Sequence, residues 1–150
     1  MLDDYEQYEA DCERIRQSNE QLLDGFENWL EQKNLTAKTI RKHRENTNFY
    51  INEFLLYEDA IEPQEGTGNI GMFLGYWFIR KTTWASAASI RSNAASLKKF
   101  YTFLNERGLV STEDLKYLRK IIKEELPEWL ATVARYDDPS ITDMEEVWGI

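Results

Sequence analysis

The stretch "LTAKTIRKHRENTNFYINEFLLY", residues 35–57, decides how the chain is read. Thr36 suits a helix N-cap, because its hydroxyl can accept from a backbone amide two or three residues on. Ile40, His43, Thr47, Tyr50, Ile51 and Phe54 then recur at steps of three and four, so one face of a helix from about 37 to 57 is turned inward. Lys38, Arg41 and Lys42 lie roughly opposite that face and are expected to point outward together. They sit near a helix N-terminus whose free amides already favour anions, so phosphate is the natural ligand. The alternative is a solvated basic face.

The same periodicity continues on both sides. Upstream, Tyr5, Tyr8, Cys12, Ile15, Asn19, Leu22, Phe26 and Trp29 lay one stripe along a helix or a pair of helices. Asn34 suits the residue just past a helix end. Downstream, "EDAIEPQEGTG" (58–68) reads as a polar loop and 69–81 as an apolar third helix. A fourth helix over 86–107 turns Ile90, Ala94, Leu97, Tyr101 and Leu104 inward and stops at Gly108. Thr112 is the expected cap of a fifth helix, with Glu113 and Asp114 in its first turn. Pro127 is expected to start or kink a last helical piece. No stretch alternates like a strand, and only 7 glycines and 3 prolines interrupt 150 residues. The predicted class is all-α.

Composition bounds the rest. At 42% hydrophobic and 13% aromatic the chain can build a core. A lone Cys12 excludes an intramolecular disulfide and suits a reducing cytoplasm. The longest apolar run, 70–79, falls far short of the roughly 20 residues that span a bilayer. Net charge is −9, but unevenly spread: −7 over 1–35, +3 over 36–107 and −5 over 108–150. The basic middle also contains the fourth helix. Ala88, Ser92, Ala95, Ser96 and Lys99 lie there opposite the core stripe, flanked by Arg91 and Lys98. Such a small-residue face admits either a DNA backbone or a tightly packed helix.

"FENWLEQKNLTAKTIRKHRENTNFYINEFL" (26–55), followed by "SIRSNAASLKKFYTFLNERGLV" (89–110), resembles the N-terminal core-binding, SAM-like domain of tyrosine recombinases, the phage integrase family. Leu35, Thr36, Thr39 and Ile40 match its "Leu-Ser/Thr-x-x-Thr" turn. Ser89, Ile90, Leu97, Phe100, Tyr101, Phe103, Leu104, Gly108 and Leu109 match its fourth helix. The resemblance covers about 23–110. It implies a helical bundle of four main helices, with the second and fourth helices entering adjacent major grooves of duplex DNA. Carried over by position, the DNA-contacting residues are Thr36, Lys38, Thr39, Arg41 and Lys42 on the second helix, with Ser89, Arg91, Ser92 and Lys99 on the fourth. The position before Ser89, often basic in the family, is Ala88 here. His43 takes the place of a core aromatic and is expected to be a core or edge residue.

The domain division that follows is an acidic helical extension (1–18), the core-binding domain (19–110), a C-terminal helical extension (111–136) and an acidic tail or linker (137–150). In the family the chemistry lies in a second domain with a Tyr nucleophile, two Arg, a Lys and a His-x-x-Arg motif. His43 is the only histidine, and Asn46 stands three places on, so no catalysis is expected of this chain. Ile141, Thr142 and Glu145 resemble the beginning of that second domain, which would make the chain a fragment; a disordered acidic end is the other reading. No cofactor and no metal set are expected, because His43 has no Cys/His company at ligand spacing. Glu124, Glu125 and Glu128 read as a solvated face. The implied partners are duplex DNA and other recombinase protomers, not a membrane or a small-molecule substrate. The implied location is cytoplasmic, at the nucleoid if the resemblance holds. The alternative function is a protein–protein interaction module that keeps the fold without binding DNA. A coiled-coil dimer through 5–29 is less favoured than a helix docked on its own domain, since Asn19 sits in the seam.

Overall fold

The computed structural model describes residues 1–149, and among them every regular element is a helix. The first, α1 (Asp4–Gln32), begins where Asp3 accepts from the Glu6 amide at 2.7 Å. It ends at Asn34, whose φ of 62° is the left-handed conformation expected of a residue just past a helix. No break occurs near residue 18. The buried stripe is Cys12, Ile15, Asn19, Leu23, Phe26 and Leu30, with Leu22 and Trp29 half-buried beside it. Tyr5, expected inward, is 67% exposed. A straight helix drifts away from a strict 3/4 alternation, so a stripe followed over 25 residues slips by one position at its ends.

α1 is fastened at two places. Near its start, Cys12 and Ile15 pack on Leu56, and the Tyr8 hydroxyl donates to the Leu56 carbonyl. Further on, Leu23, Phe26 and Leu30 enter the main core. The helix therefore docks on its own domain.

α2 (Ala37–Asn48) starts as the sequence predicts, with the Thr36 hydroxyl accepting from the Thr39 amide at 3.2 Å. It runs into a π-helical turn, Phe49–Phe54. A short 3-10 turn, Pro63–Glu65, follows within the loop. α3 is three contiguous stretches, Ile70–Met72, a second π turn Phe73–Trp77, and Phe78–Lys81. Both π turns lie where α2 and α3 meet, and they place aromatic rings against one another: Tyr50 and Phe73 are 4.9 Å apart and Phe54 and Phe73 5.0 Å. Nothing in the periodicity of the sequence announced them.

α4 (Ala87–Glu106) is capped by Ser86, whose hydroxyl accepts from the Ser89 amide while the Ser89 hydroxyl accepts from the Ser86 amide. Gly108, at φ 76°, ends it as expected. α5 (Thr112–Asp137) differs from expectation in two respects. Its cap is Ser111, which accepts from the Asp114 amide at 3.0 Å, and Thr112 is the first helical residue. It also passes through Pro127 unbroken. Pro127 is exposed, so the Lys123 carbonyl it cannot serve can turn to water, while Trp129 and Val133 hold the following turns to the core. α6 (Met144–Trp148), in the acidic tail, folds back: Val147 is buried, and the Arg135 guanidinium donates to its carbonyl at 2.9 Å.

The core is continuous and ring-rich. Phe26, Tyr50, Phe73, Phe78, Phe100 and Tyr101 are all fully buried, each contributing about 1.5–3 kcal/mol by leaving water. The two tyrosines also pin the loop, Tyr50 donating to the Gly66 carbonyl (2.6 Å) and Tyr101 to the Pro63 carbonyl (2.7 Å). Burial pushes both phenols above their ordinary range. Gly66 is needed there: a Cβ would stand 2.7 Å from a Leu55 methyl and 2.8 Å from the Tyr101 hydroxyl. No helix among the described residues is long and apolar enough to cross a membrane.

Candidate nucleic-acid interface

α2 and α4 lie side by side in the most extensive helix contact of the bundle. Their seam is polar and largely dry. His43 Nδ1 is 2.7 Å from Ser96 Oγ, and the Asn46 amide donates to the oxygens of Ser92 and Ser96, both at 3.0 Å. Ser96 in turn donates to the Ser92 carbonyl at 3.0 Å. With that hydroxyl proton committed, the network closes with the proton of neutral His43 on Nδ1. Burial pushes the imidazole pKa down, and the nearby Lys99 charge pushes it further the same way. His43 is thus a structural residue of the seam.

The small face of α4 is therefore used twice. Ser96 is fully buried against α2, and the Ser92 oxygen is held by Asn46, so close helix packing accounts for both serines. Ser89 is engaged in the α4 capping box. Arg91, Lys98 and Lys99 remain exposed. On α2, Thr36 and Thr39 form the cap, their hydroxyls 2.9 Å apart, and Lys38, Arg41 and Lys42 are exposed.

These cations do not share one environment. Lys42 precedes His43 and lies one turn before Asn46, while Lys99 lies three residues after Ser96. The two lysines therefore border the same seam. Arg41 turns toward α1, where it lines a shallow cleft with Glu27, Glu31 and Arg44. Arg44, the fourth cation of residues 35–45, is bound outright. Its guanidinium meets Glu20 (2.7 Å), Asp24 (2.9 Å) and Glu27 (2.6 Å) on α1. Among the described residues, Lys38, Arg41, Lys42, Arg91 and Lys99 form no ion pair.

The sequence reading missed two residues here. Asn46 is the hub of the seam; its place three residues after His43 on the inward face was the available signal. Trp84, 58% exposed just before the α4 cap, had none, because it lies outside every helical stripe. No cluster of three metal-ligating side chains occurs among the described residues, and Glu128 is ion-paired with Arg135 at 2.8 Å. Comparison of the chain with models of protein families, with curated proteins and with solved structures gives no match.

Proposed function

We propose that the chain is a DNA-binding module of the core-binding, SAM-like kind found in tyrosine recombinases, contacting duplex DNA through α2 and α4 and doing no chemistry itself. The observation that carries this is the α2–α4 seam. It holds the cations Lys38, Lys42, Arg91 and Lys99, unpaired among the described residues, on one antiparallel helix pair inside a chain that is otherwise acidic. Lysine and arginine would supply affinity through phosphate, and Thr36 and Thr39 lie at the amide-rich end of α2, where a phosphate oxygen is best received. Ser89 and Ser92, already hydrogen-bonded within the protein, carry less of the contact than the resemblance implies.

The test is fluorescence anisotropy on the full chain at about 50 mM salt, where nonspecific duplex binding at micromolar or weaker strength is expected. Changing Lys38, Arg41 and Lys42 together to Ala should weaken every duplex about equally. It should also reduce the salt slope by nearly one unit for each phosphate that is no longer neutralised, with melting unchanged within about 0.5 kcal/mol. A triple variant that binds as well as the parent would make the basic face mere solvated surface. No binding by the parent at all would favour the second reading, a protein–protein module. That reading draws on the acidic segments flanking the basic middle, which repel phosphate.

A further inference from the structure

A groove borders the proposed DNA face and meets it at Lys99. About 1000 Å³ in volume, it runs between the C-terminal end of α1 and the facing sides of α4 and α5. Its floor is apolar, with Trp29, Ile122 and Leu126. Its rim is basic, with Lys33, Lys98, Lys99, Arg119 and Lys123. One carboxylate interrupts the rim, Glu106, which accepts from the Trp29 indole at 3.4 Å. Among the described residues none of the five cations has a carboxylate partner; Lys33 sits over the Trp29 ring, and Arg119 donates to Thr102. Five unpaired cations around an apolar floor, in a chain of net charge −9, call for a ligand that is both anionic and apolar. A duplex supplies phosphates but offers nothing to the indole and aliphatic floor.

The chain itself carries the complementary surface. "MLDDYEQYE" (1–9) holds Asp3, Asp4, Glu6 and Glu9 beside Met1, Leu2 (49% exposed) and Tyr5 (67% exposed), and among the described residues none of the four acids is ion-paired. This segment is the start of α1, and the groove lies at the other end of the same helix. Twenty-nine helical residues separate the two by about 40 Å, so a chain cannot fill its own groove. Two copies set antiparallel along α1 would each bring residues 1–9 to the other's groove, and such an arrangement closes with two-fold symmetry. We propose that the groove between α1, α4 and α5 receives residues 1–9 of a second copy, giving an antiparallel dimer held by two equivalent acidic-to-basic contacts.

The proposal does not rest on DNA binding and is tested by sedimentation equilibrium on the full chain. The parent should dimerise at low ionic strength, and the association constant should fall at least tenfold between about 50 and about 500 mM salt. One variant reverses the segment (Asp4→Lys, Glu6→Lys, Glu9→Lys), and another reverses the rim (Lys33→Glu, Arg119→Glu, Lys123→Glu). All six positions are exposed, so circular dichroism should show the parent's helicity in both. Each variant alone should lose at least tenfold in association. Mixed, they should recover a heterodimer, because each then presents what the other lacks. A parent that stays monomeric at low salt would overturn the proposal. So would variants that associate like the parent, or a mixture that fails to recover. A rim variant that loses duplex binding while the segment variant still dimerises would assign the groove to DNA instead.

Discussion

The two flanks of α2 are held by opposite kinds of chemistry. Toward α1, Arg44 gathers three carboxylates whose side chains are 65%, 65% and 38% exposed. Toward α4, His43 and Asn46 meet two serines in a neutral network that is mostly closed to water. Ion pairs open to solvent are worth little and fade with salt. A dry neutral network gains modestly when complete and is costly to leave half-made. Adjacent residues of one basic run therefore do unrelated work. Arg44 is neutralised for structure, His43 is buried neutral, and Lys42 between their faces is left charged and free.

Four measurements would break or sharpen this contrast. The largest effect belongs to neither flank. Ile40, 5% exposed beneath both, should cost about 2–5 kcal/mol when changed to Ala, and chemical denaturation should show the loss at low and high salt alike. A loss under about 1 kcal/mol would mean that α2 is not anchored by its apolar stripe. Next, Asn46→Ala leaves Ser92 without its side-chain donor and Ser96 with His43 alone, and should cost about 1–3 kcal/mol, again without salt dependence. Arg44→Met should cost about 1 kcal/mol at low salt and less as salt rises, since the freed Glu20, Asp24 and Glu27 repel one another only while unscreened. If Arg44→Met proved costlier than Asn46→Ala, the ranking of the two flanks would be reversed.

The gentlest probe is pH. His43 titrates lower in the folded chain than in the unfolded one, first because it is buried and second because Lys99 is near. Below the ordinary histidine range the unfolded chain therefore binds the extra proton more readily. The stability this group contributes is complete above its unfolded pKa of about 6.5 and is lost as pH falls toward and through the folded value. Melting curves between about pH 7.5 and about pH 5 should show a decline that His43→Gln flattens. An equal decline in parent and variant would assign the acid sensitivity to other groups.

Much of the architecture was legible along the chain because helices announce themselves locally. The Thr36 cap, the left-handed Asn34 and Gly108, and the inward faces of α2 and α4 each depend on a few neighbouring residues. The two π turns were not legible. They bring Tyr50, Phe54, Phe73 and Trp77 together across the contact between the second and third helices, and such a contact is a property of two segments at once. Ser111 took the capping role expected of Thr112 for a smaller reason: both are good caps, and the choice turns on where the chain leaves α4.

The candidate site shows the same division. Charge pattern and spacing in the sequence were enough to place Lys38, Arg41 and Lys42 on the outer side of a helix, and to mark Arg91 and Lys99 on another. They could not say which cations keep their charge free. That was decided by α1, whose Glu20, Asp24 and Glu27 lie 24, 20 and 17 residues upstream and, among the described residues, pair with Arg44 alone. Nor could they say whether the serines of α4 face solvent or α2. A small residue permits close approach without naming what approaches, and only packing made Asn46 the partner. The sequence by itself determined the helices, their caps and their apolar faces, because those follow from local backbone chemistry and period. The tertiary structure alone decided which polar groups are spent inside the fold and which remain for a ligand, because burial and Coulomb pairing depend on what lies across the interface.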